Sequence, residues 1–375
     1  MGTIAEKLEY LNETKNSIKQ AIINKGVNVS DDDTFRSYSE KIGQITVGSI
    51  SGDEVSTSIL NRTITSYDDA EGNVTDIGNY AFAYCEDLKN INLPNCSHIG
   101  SSAFMNCTNL VSINIPLCES LGLNAFYCCN SLSSIDLPLC NNVNQGVFFM
   151  NSSLRNVNMP LCSSVGKSAF ASCSALLSVS FPLCKNIGAD AFFGCRNLSE
   201  AYLPECTSIS SASATNTWTA VGAFNFCSKL TNLDLPKCSM IGSNAFGNCF
   251  ALSSVSLPLC KNIGTSAFYR CSSLTEINLP NISYIGSSAF ASCSALSSVS
   301  IANVKSIYAS AFANCSVLKS VFINTSSVPY FGTNIFYNTL MATEGSIFVN
   351  SSLVSAFKSA TNFVIYSSRI FGSSF

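Results

Sequence analysis

Nineteen cysteines in a 375-residue chain are the first groups with chemistry to offer. Thiols close disulfides, hold metals or act as nucleophiles, and their spacing separates these uses. The stretch KSAFASCSALLSVSFPLCKNIGADAFFGC (167–195) sets Cys173, Cys184 and Cys195 eleven residues apart, and SAFASCSALSSVS returns at 288–300. Zinc sites cluster cysteines in pairs such as C-x2-C, and this even spacing does not. Disulfide rungs need an oxidising compartment. The N-terminus MGTIAEKLEYLNETKNSIKQ has no apolar signal segment, which predicts synthesis in a cytosol that keeps thiols reduced. The expected role is packing, because a free cysteine behaves as a small buried hydrophobe.

Other reactive groups are sparse. His98 is the sole histidine, so a Ser-His-Asp or Cys-His arrangement has nowhere else to form, and the turn NCSHIG reads as solvent-exposed. Glu200, Asp234 and Glu276 fall on different copies of one repeated strand; a glycosidase pair drawn from them is the weaker alternative. There is no G-x-x-x-x-G-K-[ST] loop, and the Ile-Gly pairs recur as turns. These residues predict no enzyme, no cofactor and no metal.

The elements that carry these residues follow a strict period. Phenylalanine recurs from Phe82 to Phe336 in steps of 22, except for a step of 32 between Phe192 and Phe224 and one of 24 at the end, so twelve turns are visible. Leucine keeps the same register from Leu88 to Leu318. Eighteen cysteines occupy two columns, three after Phe and two after Pro, and Cys128 is the stray. Within a unit, LVSINIP (110–116) alternates apolar and polar, the pattern of a strand with one buried face. Proline then ends the strand because it cannot donate to a ladder. A unit of 22 residues cannot bury its own apolar face, whereas stacked copies share one core.

The unit IGSSAFMNCTNLVSINIPLC (99–118) resembles the BspA-like leucine-rich repeat, and the likeness runs from residue 74 to about 345. It implies an α/β-type solenoid, right-handed, with a parallel β-sheet, in a family whose members bind proteins or cell surfaces. Residues 1–45 differ in composition. Ile4, Leu8, Leu11, Ile18 and Ile22 form a heptad-like seam interrupted by Lys15. Ser30 and the following aspartates then open a second helix. The segment 7–42 resembles N-terminal modules of bacteriophage tail and structural proteins. Together these predict a helical attachment or oligomerisation module (1–45), a linker and N-terminal cap (46–73), a solenoid (74–344) with an insertion near 210–220, and a C-terminal cap (345–375).

Charge narrows the partners. Charged residues are only 11% of the chain, with 20 Lys and Arg against 23 Asp and Glu and no basic run, so nucleic acid is not expected. No apolar run reaches membrane-spanning length, so insertion is not expected either. The two resemblances imply non-enzymatic adhesion: a phage tail protein, made in the host cytosol, docked to other tail proteins or to copies of itself through its helices, and binding a glycan or protein receptor on a bacterium. The alternative is a cellular BspA-like surface or interaction protein. Ligand anchors are expected where the Ser/Asn monotony of the strand face breaks, at Glu200 and Tyr202, and at Trp218 in the insertion, unless Trp218 folds back to cover a neighbouring rung. The position after each Ala-Phe pair, occupied by Met105, Tyr127 and Phe149 on consecutive units, is the other candidate stripe, with partial burial in the turn as the alternative reading.

Overall fold

The computed structural model describes residues 49–50, 62–210 and 222–375. The helical hairpin expected over 1–45 and Trp218 lie outside these residues. The rest forms a parallel β-solenoid of about 14 turns. Strands of mostly three residues, such as Ser178–Ser180 and Glu200–Tyr202, pair in parallel with Ser178 opposite Glu200 and Ser180 opposite Tyr202. Residues 66–68, within the stretch read as linker and cap, already form such a strand, in register with Asn90–Asn92.

A second parallel sheet lines another face. Its strands have two residues each and come from the x-Ile step before glycine, as in Asn186–Ile187 beside Ser208–Ile209. Nine of them run unbroken from Asn142–Val143 to Tyr330–Phe331. The ladder crosses the ten-residue insertion without slipping, since Ser208 pairs with Met240. The glycines after these strands mark a close approach: a Cβ on Gly188 would lie 2.6 Å from the carbonyl carbon of Gly166. Asn144 stands in this glycine column and its side chain donates to the Leu121 carbonyl (2.7 Å). There the second sheet divides into its four-stranded and nine-stranded parts.

The expected α/β character is corrected. Among the described residues the only α-helix is Val354–Lys358, near the C-terminus. The segment carrying Ala-Phe turns twice through the left-handed region in every unit except that of Phe224, at Ser102 (φ 54°) and Asn106 (φ 59°) for example. A right-handed helix cannot absorb such residues, so the unit returns by turns. Past the last repeat, Ser346–Asn350 and Ile370–Ser373 continue the strand-face sheet, with the short helix between them.

The core is a set of columns. Phe82 through Phe336 stack ring on ring, with centroids 4.8 to 5.7 Å apart. All nineteen cysteines are free thiols, and every one except Cys128 is buried. Each column has a fixed hydrogen bond. Cys107 donates to the Phe82 carbonyl (3.0 Å) and Cys173 to that of Phe148 (3.0 Å), one rung back. Cys184 donates to Asn186 (3.4 Å), two residues ahead. A thiol therefore fills a narrow corner and also satisfies a carbonyl that the turn leaves over.

From Phe82 to Phe312, one rung of the column that follows phenylalanine breaks the rule. Asn151 takes the place of cysteine with no exposed surface. Its Oδ1 accepts from the Cys129 N–H (2.8 Å), but its Nδ2 has no partner. An unsatisfied buried donor costs about 1–3 kcal/mol. Asn151→Cys should therefore raise stability by roughly that amount, less the lost Oδ1 bond. Chemical or thermal unfolding of both chains measures it, and a lower midpoint in the variant would contradict this account.

Candidate functional site

The strand face presents Ser, Asn and Asp ladders that satisfy one another across rungs. Asn92 donates to Asp68 (2.8 Å), Asn114 to Asn92 (2.7 Å) and Asn158 to Asp136 (2.7 Å). Glu200 and Tyr202 do project from this face, and Tyr202 is 59% exposed. They share one strand as a single ring and a single carboxylate, with Ser178 and Ser180 alongside. Trp218, the third expected anchor, is outside the described residues.

On the second sheet, His98 lies between Asp76 and Ser120 in register. Its Nδ1 is hydrogen-bonded to the Ser120 hydroxyl. Asp76 accepts from the Thr75 hydroxyl (2.8 Å) rather than from the imidazole. The three sit on an open sheet face, with no orienting carboxylate–imidazole bond of the kind that hydrolytic triads use. Among the described residues no cluster of His, Cys, Asp or Glu is arranged to hold a metal.

The corner after Ala-Phe is more informative. Met105, Tyr127 and Phe149 stand on consecutive rungs half-buried, with Tyr127 stacked on Phe149 at 5.2 Å. Small members of the column, Ala83 and Ala171, are buried, so the position faces the turn and only long side chains reach solvent. The residue one further on projects fully. In this neighbouring column Tyr84, Met150 and Phe226 are 46%, 43% and 40% exposed, and all three have left-handed backbone, with φ near 60°.

Two rungs between Met150 and Phe226 carry only Ser172 and Gly194. The result is an open groove of about 540 Å³. Met150 and Phe226 form its ends, three rungs or about 14 Å apart at the spacing of paired strands. Phe193 packs edge-on against Phe226 (6.0 Å, 86°) and fixes that ring. Asn130, Ser152, Ser174 and Arg196 line one flank. The volume lies within the range of small-molecule sites.

Reading the sequence by the Ala-Phe neighbour missed this groove by one residue. The signal was present: a column of mixed large residues interrupted by Ser172 and Gly194. A second apolar line also escaped notice. Leu117, Leu139, Leu161 and Leu183, each between proline and cysteine, are 39–48% exposed on consecutive rungs.

A parallel solenoid with 22-residue rungs and columns of leucine and phenylalanine defines a leucine-rich repeat protein. The model of the BspA type leucine rich repeat region matches residues 75–199, 147–258 and 217–343, and the chain belongs to this family. Its fold is similar to that of a leucine-rich repeat protein from Bacteroides ovatus, with a TM-score of 0.54 at 23% identity over 84% of this chain and 85% of that one. A leucine rich cell surface protein from Faecalibacterium prausnitzii (TM-score 0.40, 23% identity, 80% and 87% coverage) also matches. So does the pneumococcal vaccine antigen PcpA (TM-score 0.44, 18% identity, 83% and 89% coverage). No curated protein matches the sequence.

Proposed function

We propose that this chain is a non-enzymatic recognition protein whose solenoid binds a component of a bacterial surface through the corner groove between Met150 and Phe226. The observation that carries the reading is the groove itself, a concave opening with apolar ends on a rigid stack of rungs. Such sites, mostly apolar with a few placed polar groups, are where small ligands bind. The polar ladders of the strand face offer a partner little apolar area to cover. The chain's carrier in this reading is a bacteriophage tail, supported by the likeness of residues 7–42 to tail-protein modules, with those residues docking to other tail proteins. Family membership favours a second reading, display on a bacterial cell. Neighbouring tail genes, or their absence, separate the two.

Phe226→Ala should weaken binding of the whole chain to intact host cells by about 1–3 kcal/mol, as loss of an aromatic anchor does. Melting should be almost unchanged, because the ring lies outside the core columns. Tyr202→Ala should cost less, since it removes a lone ring from a hydrated face. Unchanged binding in Phe226→Ala, with loss in Tyr202→Ala, would move the site to the strand face.

A further inference from the structure

Gly194 occupies a column where neither conformation nor packing calls for glycine. Its φ is +71°, and Met150 (62°), Ser172 (63°), Phe226 (63°) and Arg270 (59°) hold side chains at nearly the same angle. A Cβ on Gly194 would meet nothing closer than the Ser172 hydroxyl at 3.9 Å. What glycine does there is leave the floor of the groove open.

The lining of that groove has one charge and no carboxylate to match it. Arg196 is exposed and lies on the flank, and among the described residues it makes no salt bridge. The other polar groups are the hydroxyls of Ser152, Ser172 and Ser174 and the amide of Asn130. The backbone offers little more. The N–H groups of Met150, Ser172, Gly194 and Phe226 all donate to the next rung, at 2.6 to 2.9 Å. A peptide adding itself as a strand needs an unpaired row of such groups, and none exists here. The apolar ends are too far apart to form the continuous stripe that receives an amphipathic helix.

Deepening the recognition reading, on which it rests, we propose that the groove takes a carboxylate-bearing saccharide. The ring face of Phe226, held by Phe193, carries the apolar face of a sugar. Serine hydroxyls and Asn130 meet its hydroxyls, and Arg196 pairs with the carboxylate through its fork of donors.

The test uses the whole protein, titrated by calorimetry with oligogalacturonate, with its neutral galactose counterpart, and with an oligoglutamate peptide. Oligogalacturonate should bind, and the neutral sugar about tenfold or more weakly, as loss of a charge-assisted hydrogen bond implies. Arg196→Gln should bring the two sugars level. Gly194→Met places in the groove a side chain that the same column already carries at Met150; it should abolish sugar binding with little change in melting. Equal binding of both sugars, tighter binding of the peptide, or no binding of oligogalacturonate would each overturn the assignment. Host-cell binding keeps the two claims apart. If Gly194→Met loses it while Arg196→Gln retains it, the groove binds something other than an acid; if Gly194→Met retains it, the groove is not the recognition site.

Discussion

Raising the pH past the ordinary thiol range, about 8.5, should unfold the protein cooperatively within one to two units. The cause is the cysteine columns. Burial pushes the Cys96 thiol up to about 11, and those of Cys260 and Cys315 up to about 12. It raises Cys107, Cys129 and Cys293 as well. Where two thiols touch across a rung they differ: the S–H of Cys162 favours the thiolate of Cys184, which is lowered, and Cys162 is raised in turn. For a raised acid the folded chain holds protons that the unfolded chain releases. Its contribution is complete below the unfolded value, declines above it, and is gone once pH passes the folded value. Each such thiol removes about 1.4 kcal/mol per pH unit in that window. Five of them remove about 7 kcal/mol in one unit, comparable with the whole stability of a typical domain. Circular dichroism and thiolate absorbance followed together should change at the same pH. Thiolate forming in a chain that keeps its ellipticity would show that the thiols are not buried as described. Unfolded without reductant at neutral pH, the chain should also show close to nineteen reactive thiols.

Phe192→Ala should be among the most damaging single substitutions, at about 3–5 kcal/mol. The ring has no exposed surface and lies between Phe170 (5.3 Å) and Phe224 (4.8 Å) in the aromatic column. A solenoid rung touches only its neighbours, so a gap in mid-array weakens the coupling between the two halves. Thermal unfolding of Phe192→Ala should broaden or split into two steps. Phe82→Ala, near one end of the column, should loosen that end and leave the main step in place. Equal effects from the two substitutions would mean that the array does not behave as nearest-neighbour rungs.

The columns were legible in the sequence because a stacked array repeats one environment many times. Phe104, Leu110 and Cys118 were each marked as interior by their copies. The alternation of Ser112, Ile113 and Asn114 likewise marked a strand, which the structure contains. The second sheet was not legible, since its strands have two residues and no alternation can register in so short a run. The turns at Ser102 and Asn106 escaped for another reason: non-glycine residues seldom take positive φ, and the sequence gives no sign of them at Met150 or Phe226. Nothing in the residues therefore spoke against the α/β character that the resemblance implied. Of the expected anchors, Tyr202 and Glu200 are exposed, while Met105, Tyr127 and Phe149 are half-buried, one residue short of the column that builds the groove.

The corner column has a consequence for how such a protein changes over generations. From Tyr84 to Asn338 one backbone shape displays tyrosine, asparagine, cysteine, methionine, serine, glycine, phenylalanine and arginine, so a codon change there edits the surface while the fold beneath stays the same. Unequal recombination between near-identical units does something a point change cannot. Duplicating the unit that carries Gly194 would move Met150 and Phe226 one rung, about 4.8 Å, further apart, with both walls intact. Deleting it would bring them closer by the same step. The spacing of the two ends is thus set by copy number, and a lineage can retune the length of what it grips in whole-unit increments without redesigning either contact.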